Sequence, residues 1–308
     1  MIKVSRNLLQ NFYLILPLSL LVVLIDILFL DHQLQSFLPN TPNKFFLFTL
    51  FFVLPHIVAS LITFGEKEYV VHYKKQLSYS LIFSLIVTLI FVYITPQKAY
   101  LAIFGIITLF HVIGQQFGLN SGFAQVRGKI FLWWKYIGFT SALFSSTLLY
   151  FPQTSSLNLY YSFIAINIFF LIFFLFLTVK CIKLSTNDFG KRYFIANFLL
   201  LLFTFVFVLL KYPFFAILGP RFVHDTTAFT FYAVHNFNRS TVSRNKVLNP
   251  ITKMNFSILL TFLSAIIIAL FVKDLNYFGL ITFLTILHYC VESFMWKGKT
   301  LHKEFIRF

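Results

Sequence analysis

The stretch YYSFIAINIFFLIFFLFLTV, residues 160–179, is twenty residues long and carries no charge. At about 1.5 Å per residue, a helix of this length crosses the ~30 Å hydrocarbon core of a bilayer. Lipid offers no partner to backbone polar groups, and a helix satisfies those groups internally. The stretch therefore predicts a helix that spans a membrane.

Similar apolar runs fill most of the chain, and with 160–179 they make about ten predicted spans. The other runs are 12–30, 45–64, 77–95, 99–117, 131–150, 193–210, 214–238, 254–272 and 278–296. We predict an all-α fold, a polytopic membrane helical bundle that forms a single domain over residues 1–308. The run 214–238 is the irregular one, because Pro213, Gly219, Pro220 and Arg221 at its start would allow a short re-entrant piece before the helix.

The composition excludes a water-soluble globule. Hydrophobic residues make up 59% of the 308 residues, charged residues make up 11%, and the mean hydropathy is +0.84. The net charge of +16 does not indicate a nucleic-acid partner, because Lys and Arg fall almost entirely in short segments between the apolar runs. Two cysteines, Cys181 and Cys290, provide no disulfide framework or thiolate cluster. The predicted partner is the lipid bilayer, and no protein partner is indicated.

The placement of the basic residues predicts the orientation in the membrane. On one side, the two termini and alternate loops hold 19 Lys and Arg residues, whereas the opposite connections hold 5. Positively charged loops stay in the cytoplasm. We therefore expect an even number of spans, both termini in the cytoplasm, and a multi-pass protein of the bacterial inner membrane.

Ionisable residues inside the spans are the candidates for function, because each is costly in hydrocarbon. They concentrate on the even-numbered spans and fall in four motifs. The motifs are LPHIVAS with His56, FHVIGQQFG with His111, HDTTAFTFYAVHNFNR with His224, Asp225 and His235, and LHYCVESFMWK with His288 and Glu292. The parallel orientation of the even-numbered spans predicts that four imidazoles, of His56, His111, His235 and His288, lie in one layer near the cytoplasmic surface.

Two spacings within the spans refine this picture. His288 and Glu292 are four residues apart, so they share a helix face and could bind one metal ion. His224 and His235 are separated by about 16 Å along a continuous helix and cannot both ligate that ion. His224 with Asp225 is then a second polar site, a proton relay, or part of a broken helix that returns toward the layer.

The remaining polar residues favour structural roles. Gln115 and Gln116 are expected to form hydrogen bonds between helices, and Asp26 is expected to have a structural partner. His72 and His302 lie in a loop and in the C-terminal tail, where solvation is the expected state.

Neutral imidazoles with a carboxylate suit Fe, Zn, Cu or Ni, and an open coordination position would permit O2 or water chemistry. We expect the metal ligands to be His56, His111, His235 and His288, with His224 as an additional candidate. Glu292 and Asp225 are the candidate catalytic carboxylates. Lipid surroundings favour a hydrophobic small-molecule substrate. The residue types leave iron, haem and another transition metal open at this point.

The motifs LPHIVAS, FHVIGQQFG, VHNFNR and LHYCVESFMW together resemble, in order and in placement on separate spans, the four histidine motifs of a known enzyme family. This family is the bacterial membrane beta-carotene dioxygenases related to the bacteriorhodopsin-associated proteins. The resemblance implies a histidine-bound iron that serves to cleave beta-carotene to retinal. By the same resemblance, His56, His111, His235 and His288 would be the iron ligands.

Three other functions remain open at the level of sequence. A proton-coupled transporter or permease would use Asp225, His224, His235 and Glu292 as a relay, and an interrupted eighth span would favour it. A pair of histidines on two helices would instead ligate haem for electron transfer. A scaffold or lipid-binding protein would use the same residues only as buried polar contacts.

Overall fold

The structure is a computed structural model, and the residues that it describes form helices. The described ranges are 1–65, 67–149, 157–240, 263–264, 266–268, 270–271, 278–296 and 300–306. Every regular element within them is helical, and none of these residues belongs to a strand. The all-α prediction is confirmed.

The main helices of the described residues are named here α1 to α11 in chain order. Their bounds are α1 Arg6–Phe29, α2 Gln33–Phe37, α3 Phe46–Ile62, α4 Lys67–His72, α5 Lys74–Ile94, α6 Gln97–Ala124, α7 Lys129–Leu149, α8 Leu157–Leu184, α9 Asp188–Leu209, α10 Pro213–Ser240 and α11 Phe278–Met295. Short 3₁₀ turns occur at Pro42–Lys44, Thr63–Gly65 and Leu301–Phe305.

Five of these helices are long and apolar enough to cross a membrane: α1, α5, the part of α6 from Ala102 to Ala124, α8 and α9. Helix α3 and the segment Gly279–Met295 of α11 are apolar but shorter. Helices α7 and α10 form where spans were predicted, but their polar residues lower their mean hydropathy, so they are not among the five. The predicted span 254–272 lies largely outside the described residues. The described residues thus support a membrane location and contain five candidate spans.

The chain divides into two compact units. Unit 1 consists of Met1–Ser5, Phe45–Ile103 and Asp225–Phe308, and unit 2 consists of Arg6–Lys44 and Phe104–His224. Each unit is assembled from segments that are distant in sequence. Helices α6 and α10 each contribute residues to both units.

Unit 2 is held together by close aromatic packing. A Cβ atom at Gly138 of α7 would lie 2.7 Å from ring atoms of Phe117 and of Phe174, so only glycine lets these rings approach α7 this closely. The indole N–H of Trp134 donates to the hydroxyl of Thr178 at 2.9 Å. These contacts fix α6, α7 and α8 against one another in a dense core.

Asp26 is the buried carboxylate of unit 2, and its partners are structural. Its oxygens accept hydrogen bonds from the backbone N–H groups of Leu34 and Gln35 at 2.8 and 2.9 Å. The hydroxyl of Tyr212 donates to it at 2.7 Å. The charge therefore joins the end of α1 to the turn around α2 and to the loop before α10, in agreement with the structural role expected for it.

In unit 1, one core cluster joins α3, α4, α10 and α11. Its buried side chains are Ala59, Phe64, Tyr69, Tyr73, Ala228, Tyr232, Val291 and Met295. The two ends of the chain are tied to α10 nearby, since the side chain of Asn238 bonds to backbone groups of both Ile2 and Phe305. This packing places the polar residues of α3, α10 and α11 on facing helix surfaces.

Candidate metal centre

His56 on α3 and His288 on α11 lie face to edge in the interior of unit 1. Their ring centroids are 4.8 Å apart and the ring planes are inclined by 80°. His56 is 1% exposed and His288 is 0% exposed. Two of the four histidines predicted to share a layer are thus neighbours in the structure.

The local sequence of α3 explains how His56 is presented. Pro55 has no backbone N–H to donate to the preceding turn, and that turn, Thr49–Val53, is π-helical. Such π turns inside α-helices are frequent at functional sites. The carbonyl oxygen of Phe52 lies 3.2 Å from Nδ1 of His56 and helps to hold the ring.

A carboxylate lies beside each of the two imidazoles. Oδ1 of Asp225, on α10, is 3.4 Å from Nδ1 of His56. Oε2 of Glu292, one turn after His288 on α11, is 3.8 Å from Nε2 of His288. Both carboxylates are buried. The predicted shared face of His288 and Glu292 is therefore present in α11, and Asp225 lies beside the ring of His56.

Neighbouring hydroxyl groups orient these side chains. Nδ1 of His288 lies 2.8 Å from the hydroxyl of Ser60 on α3. The hydroxyl of Tyr232 donates a hydrogen bond to Oε1 of Glu292, and the indole N–H of Trp296 lies 3.4 Å from that hydroxyl. Both imidazoles therefore have Nδ1 engaged by the protein, and Nε2 is the nitrogen that would bind an ion.

Ser60 and Tyr232 were not among the residues that the sequence singled out. The spacing contains a signal for each, because Ser60 lies four residues after His56 on α3 and Tyr232 lies seven residues after Asp225 on α10. Both intervals return to the same helix face. Hydroxyl residues at such intervals from an intramembrane histidine or carboxylate are candidates for orienting partners.

His111 and His224 form another imidazole pair, within unit 2. Their ring centroids are 4.9 Å apart and the planes are inclined by 77°. His224 is fully buried and His111 is half-buried. The sequence predicted His111 as a ligand and His224 as an additional candidate, and the structure brings these two together.

His235 has a different environment in unit 1. Its Nε2 lies 3.0 Å from the hydroxyl of Tyr69, and its ring stacks on His302 with centroids 4.9 Å apart. Ten residues separate it from Asp225 on the continuous helix α10, which is about 15 Å along the axis. The structure thus groups His56 with His288 and groups His235 with His302.

The expectation that His302 is solvated is wrong. This tail residue is fully buried between Tyr69, at a centroid distance of 4.1 Å, and His235. His302 is buried because the segment Leu301–Phe305 packs against unit 1. Leu301 contacts the core cluster, and the side chain of Asn238 donates a hydrogen bond to the carbonyl oxygen of Phe305. His72, by contrast, is exposed as expected.

Helix α10 is continuous from Pro213 to Ser240, with Pro220 in its interior. The break that Gly219, Pro220 and Arg221 would allow is not present. Proline is tolerated inside membrane helices where neighbouring groups satisfy the freed carbonyl. His224 and His235 therefore stay on one helix, about 16 Å apart along its axis.

Comparisons of the chain with protein-family models, with curated proteins and with solved structures give no match. The resemblance of the four histidine motifs to the beta-carotene dioxygenases stays a prediction.

Proposed function

We propose that this chain is a membrane-embedded, iron-dependent oxygenase that acts on a lipophilic substrate. His56, His288 and Glu292 would be iron ligands, and Asp225 would orient His56. The observation that carries the proposal is the buried pair of imidazoles with a carboxylate beside each ring. Buried charges of this kind are costly unless they are paired or coordinate a metal.

The chemical types of the proposed donors suit Fe(II). Two imidazoles and one carboxylate with open coordination positions are typical of non-haem Fe(II) oxygenases. The described residues of unit 1 place no cysteine sulfur at this pair, because Cys290 lies against Ser84 instead. Thiolate-rich zinc or iron–sulfur sites are therefore less suitable alternatives than an imidazole–carboxylate centre.

Bound iron would supply O2 binding and activation, and the protein side chains would prepare the site for it. Ser60 holds the ring of His288 through Nδ1, so Nε2 keeps one direction. Tyr232 donates to Glu292 and restricts that carboxylate to one rotamer. Asp225, 3.4 Å from Nδ1 of His56, can accept a hydrogen bond from that N–H and increase the basicity of the ring. Because the histidines and carboxylates of the site are buried, bulk water is excluded from the reacting groups.

The substrate class follows from the surroundings and from the resemblance. Large apolar side chains cover the outer faces of α5 and α8, as expected for helices in lipid. We propose that a carotenoid-like polyene or a lipid reaches the site from the inner leaflet. We also propose that about ten helices span the bacterial inner membrane and that both termini lie in the cytoplasm. The distribution of basic residues favours this topology.

The enzyme hypothesis predicts oxygen-dependent turnover. Full-length protein in detergent, loaded anaerobically with Fe(II) and given beta-carotene in mixed micelles, is expected to form a cleaved polyene after O2 is admitted. Glu292→Gln is expected to reduce turnover by about 100-fold, since even residues that only support metal ligands contribute about 10–100-fold. Chromatography of the extracted polyenes measures both rates.

The matched control for this assay is His72→Ala, which removes an exposed histidine from the same unit. It is expected to keep wild-type turnover. Absence of oxidised product from polyenes and from membrane lipids, at full iron loading, would contradict the enzyme hypothesis.

The transporter alternative uses the same residues as a relay. The broken eighth helix that favoured it is absent, and about 15 Å along α10 separates Asp225 from His235. Vesicle uptake that depends on a pH gradient and is lost in Glu292→Gln would support this alternative over the oxygenase.

A further inference from the structure

A second polar site lies within unit 2. Its centre is Gln116 on α6, whose Oε1 accepts hydrogen bonds from Tyr193 of α9 at 2.6 Å and from Tyr13 of α1 at 3.2 Å. The same Tyr13 hydroxyl lies 3.1 Å from Oδ1 of Asn197. The expected hydrogen bonding of Gln116 between helices is therefore present.

Three amide atoms at this site have no partner among the described residues. They are Nε2 of Gln116 and both Nδ2 and Oδ1 of Asn120. Gln116 and Asn120 are 0% exposed, so bulk water does not reach them. Buried amide groups in folded proteins are almost always hydrogen-bonded, either to protein or to ordered water.

The three atoms lie on one face of α6. Asn120 follows Gln116 by four residues and precedes Phe123 by three, and both intervals place side chains on the same helix face. Tyr193 contacts this face at both ends, through its hydroxyl at Gln116 and through its ring at Phe123, 5.1 Å away. Asn120 therefore lies on the surface of α6 that packs against α9.

We propose that Gln116 and Asn120 bind at least one ordered water molecule inside unit 2. One water molecule can accept a hydrogen bond from Nε2 of Gln116 and donate one to Oδ1 of Asn120. A second water can accept from Nδ2 of Asn120, which completes the donor and acceptor set. A buried water typically makes about three such bonds. A cation is disfavoured because amide N–H groups face the site, and an anion would leave Oδ1 of Asn120 without a donor.

The first test is an experimental density map of the full-length chain in lipid nanodiscs, at a resolution where waters in other helices are visible. We expect a peak of one-water size within hydrogen-bond distance of Gln116 Nε2 and Asn120 Oδ1. A map that shows other buried waters but none here, or density for a larger molecule here, would overturn the proposal.

The second test is the sign of a change in thermal stability. If water satisfies the amide, Asn120→Leu breaks hydrogen bonds and is expected to lower Tm by at least about 2 °C. If the amide has no partner, the same substitution removes a buried unsatisfied group and Tm stays constant or rises, which would contradict the proposal. Replacement of chloride by gluconate is expected to leave Tm unchanged, and a fall would indicate a bound anion instead.

The control for that measurement is Asn167 of α8. Its amide is fully engaged, because it accepts from Ser141 and donates to Ser145, each at 2.9 Å. Asn167→Leu is expected to lower Tm in any case. A fall for both variants supports the water site, whereas a fall for Asn167→Leu alone overturns it.

Discussion

Replacement of His288 by alanine is expected to weaken iron binding by more than about 100-fold, since an orienting partner alone contributes about 10–100-fold. The ring of His288 is fully buried, lies 4.8 Å from the ring of His56, and shares a helix face with Glu292. Ser60 lies at Nδ1 of His288 and Tyr232 donates to Glu292, so both proposed ligands are held by neighbouring hydroxyl groups. Equilibrium dialysis against Fe(II), followed by elemental analysis, measures the loss.

Two companion variants separate a lost ligand from a lost fold. Ser60→Ala keeps His288 but removes the hydroxyl at its Nδ1, and is expected to weaken iron binding by about 10–100-fold. His72→Ala changes an exposed histidine and is expected to bind iron as the wild type does. Wild-type affinity in a folded His288→Ala variant would exclude His288 as a ligand.

Acidification from pH 7 to pH 5 is expected to destabilise unit 1 through His302 in the tail. Burial, with smaller contributions from the nearby His235, Arg239 and His72, lowers the pKa of His302 to about 2. The unfolded residue has a pKa of about 6.5. Below pH 6.5 the residue is protonated in the unfolded state but stays neutral in the folded state. The contribution of His302 to the free energy of unfolding is therefore fully present above pH 6.5 and decreases as the pH falls from 6.5 to 2.

The expected slope in that window is at most about 1.4 kcal/mol per pH unit. The measurement is the unfolding midpoint at pH 7, 6 and 5 for the wild type and for His302→Phe. Phenylalanine keeps the stack on Tyr69 but cannot be protonated, so it is expected to flatten the pH dependence. Equal pH dependence in both proteins would show that other groups cause the effect.

The helical fold was predictable because apolar length and the cost of unpaired backbone in lipid leave few alternatives. The number of membrane spans was harder to predict from the sequence. Helices α7 and α10 form where expected, but Lys135 in one, and Arg221 and Asp225 in the other, lower their hydropathy below that of the five candidate spans. Length alone therefore did not predict which helices have the hydropathy of the five candidate spans.

The sequence predicted which site residues share a face of the same helix, but not which faces of different helices meet. The spacing of four residues placed Glu292 beside His288 correctly. The orientation of a helix about its own axis depends on packing that a single sequence does not reveal, so the pairing of His111 with His224 was missed. His302 was missed because a short tail is usually solvated, whereas aromatic contacts bury this one.

The most direct test of the oxygenase proposal is the iron content of the full-length protein, purified in detergent and reconstituted anaerobically with Fe(II). The proposal predicts about one iron atom per chain at the imidazole–carboxylate centre, lost together from the His56→Ala and His288→Ala variants. Protein that remains folded and binds no stoichiometric iron, or variants that bind as much as the wild type, would contradict it.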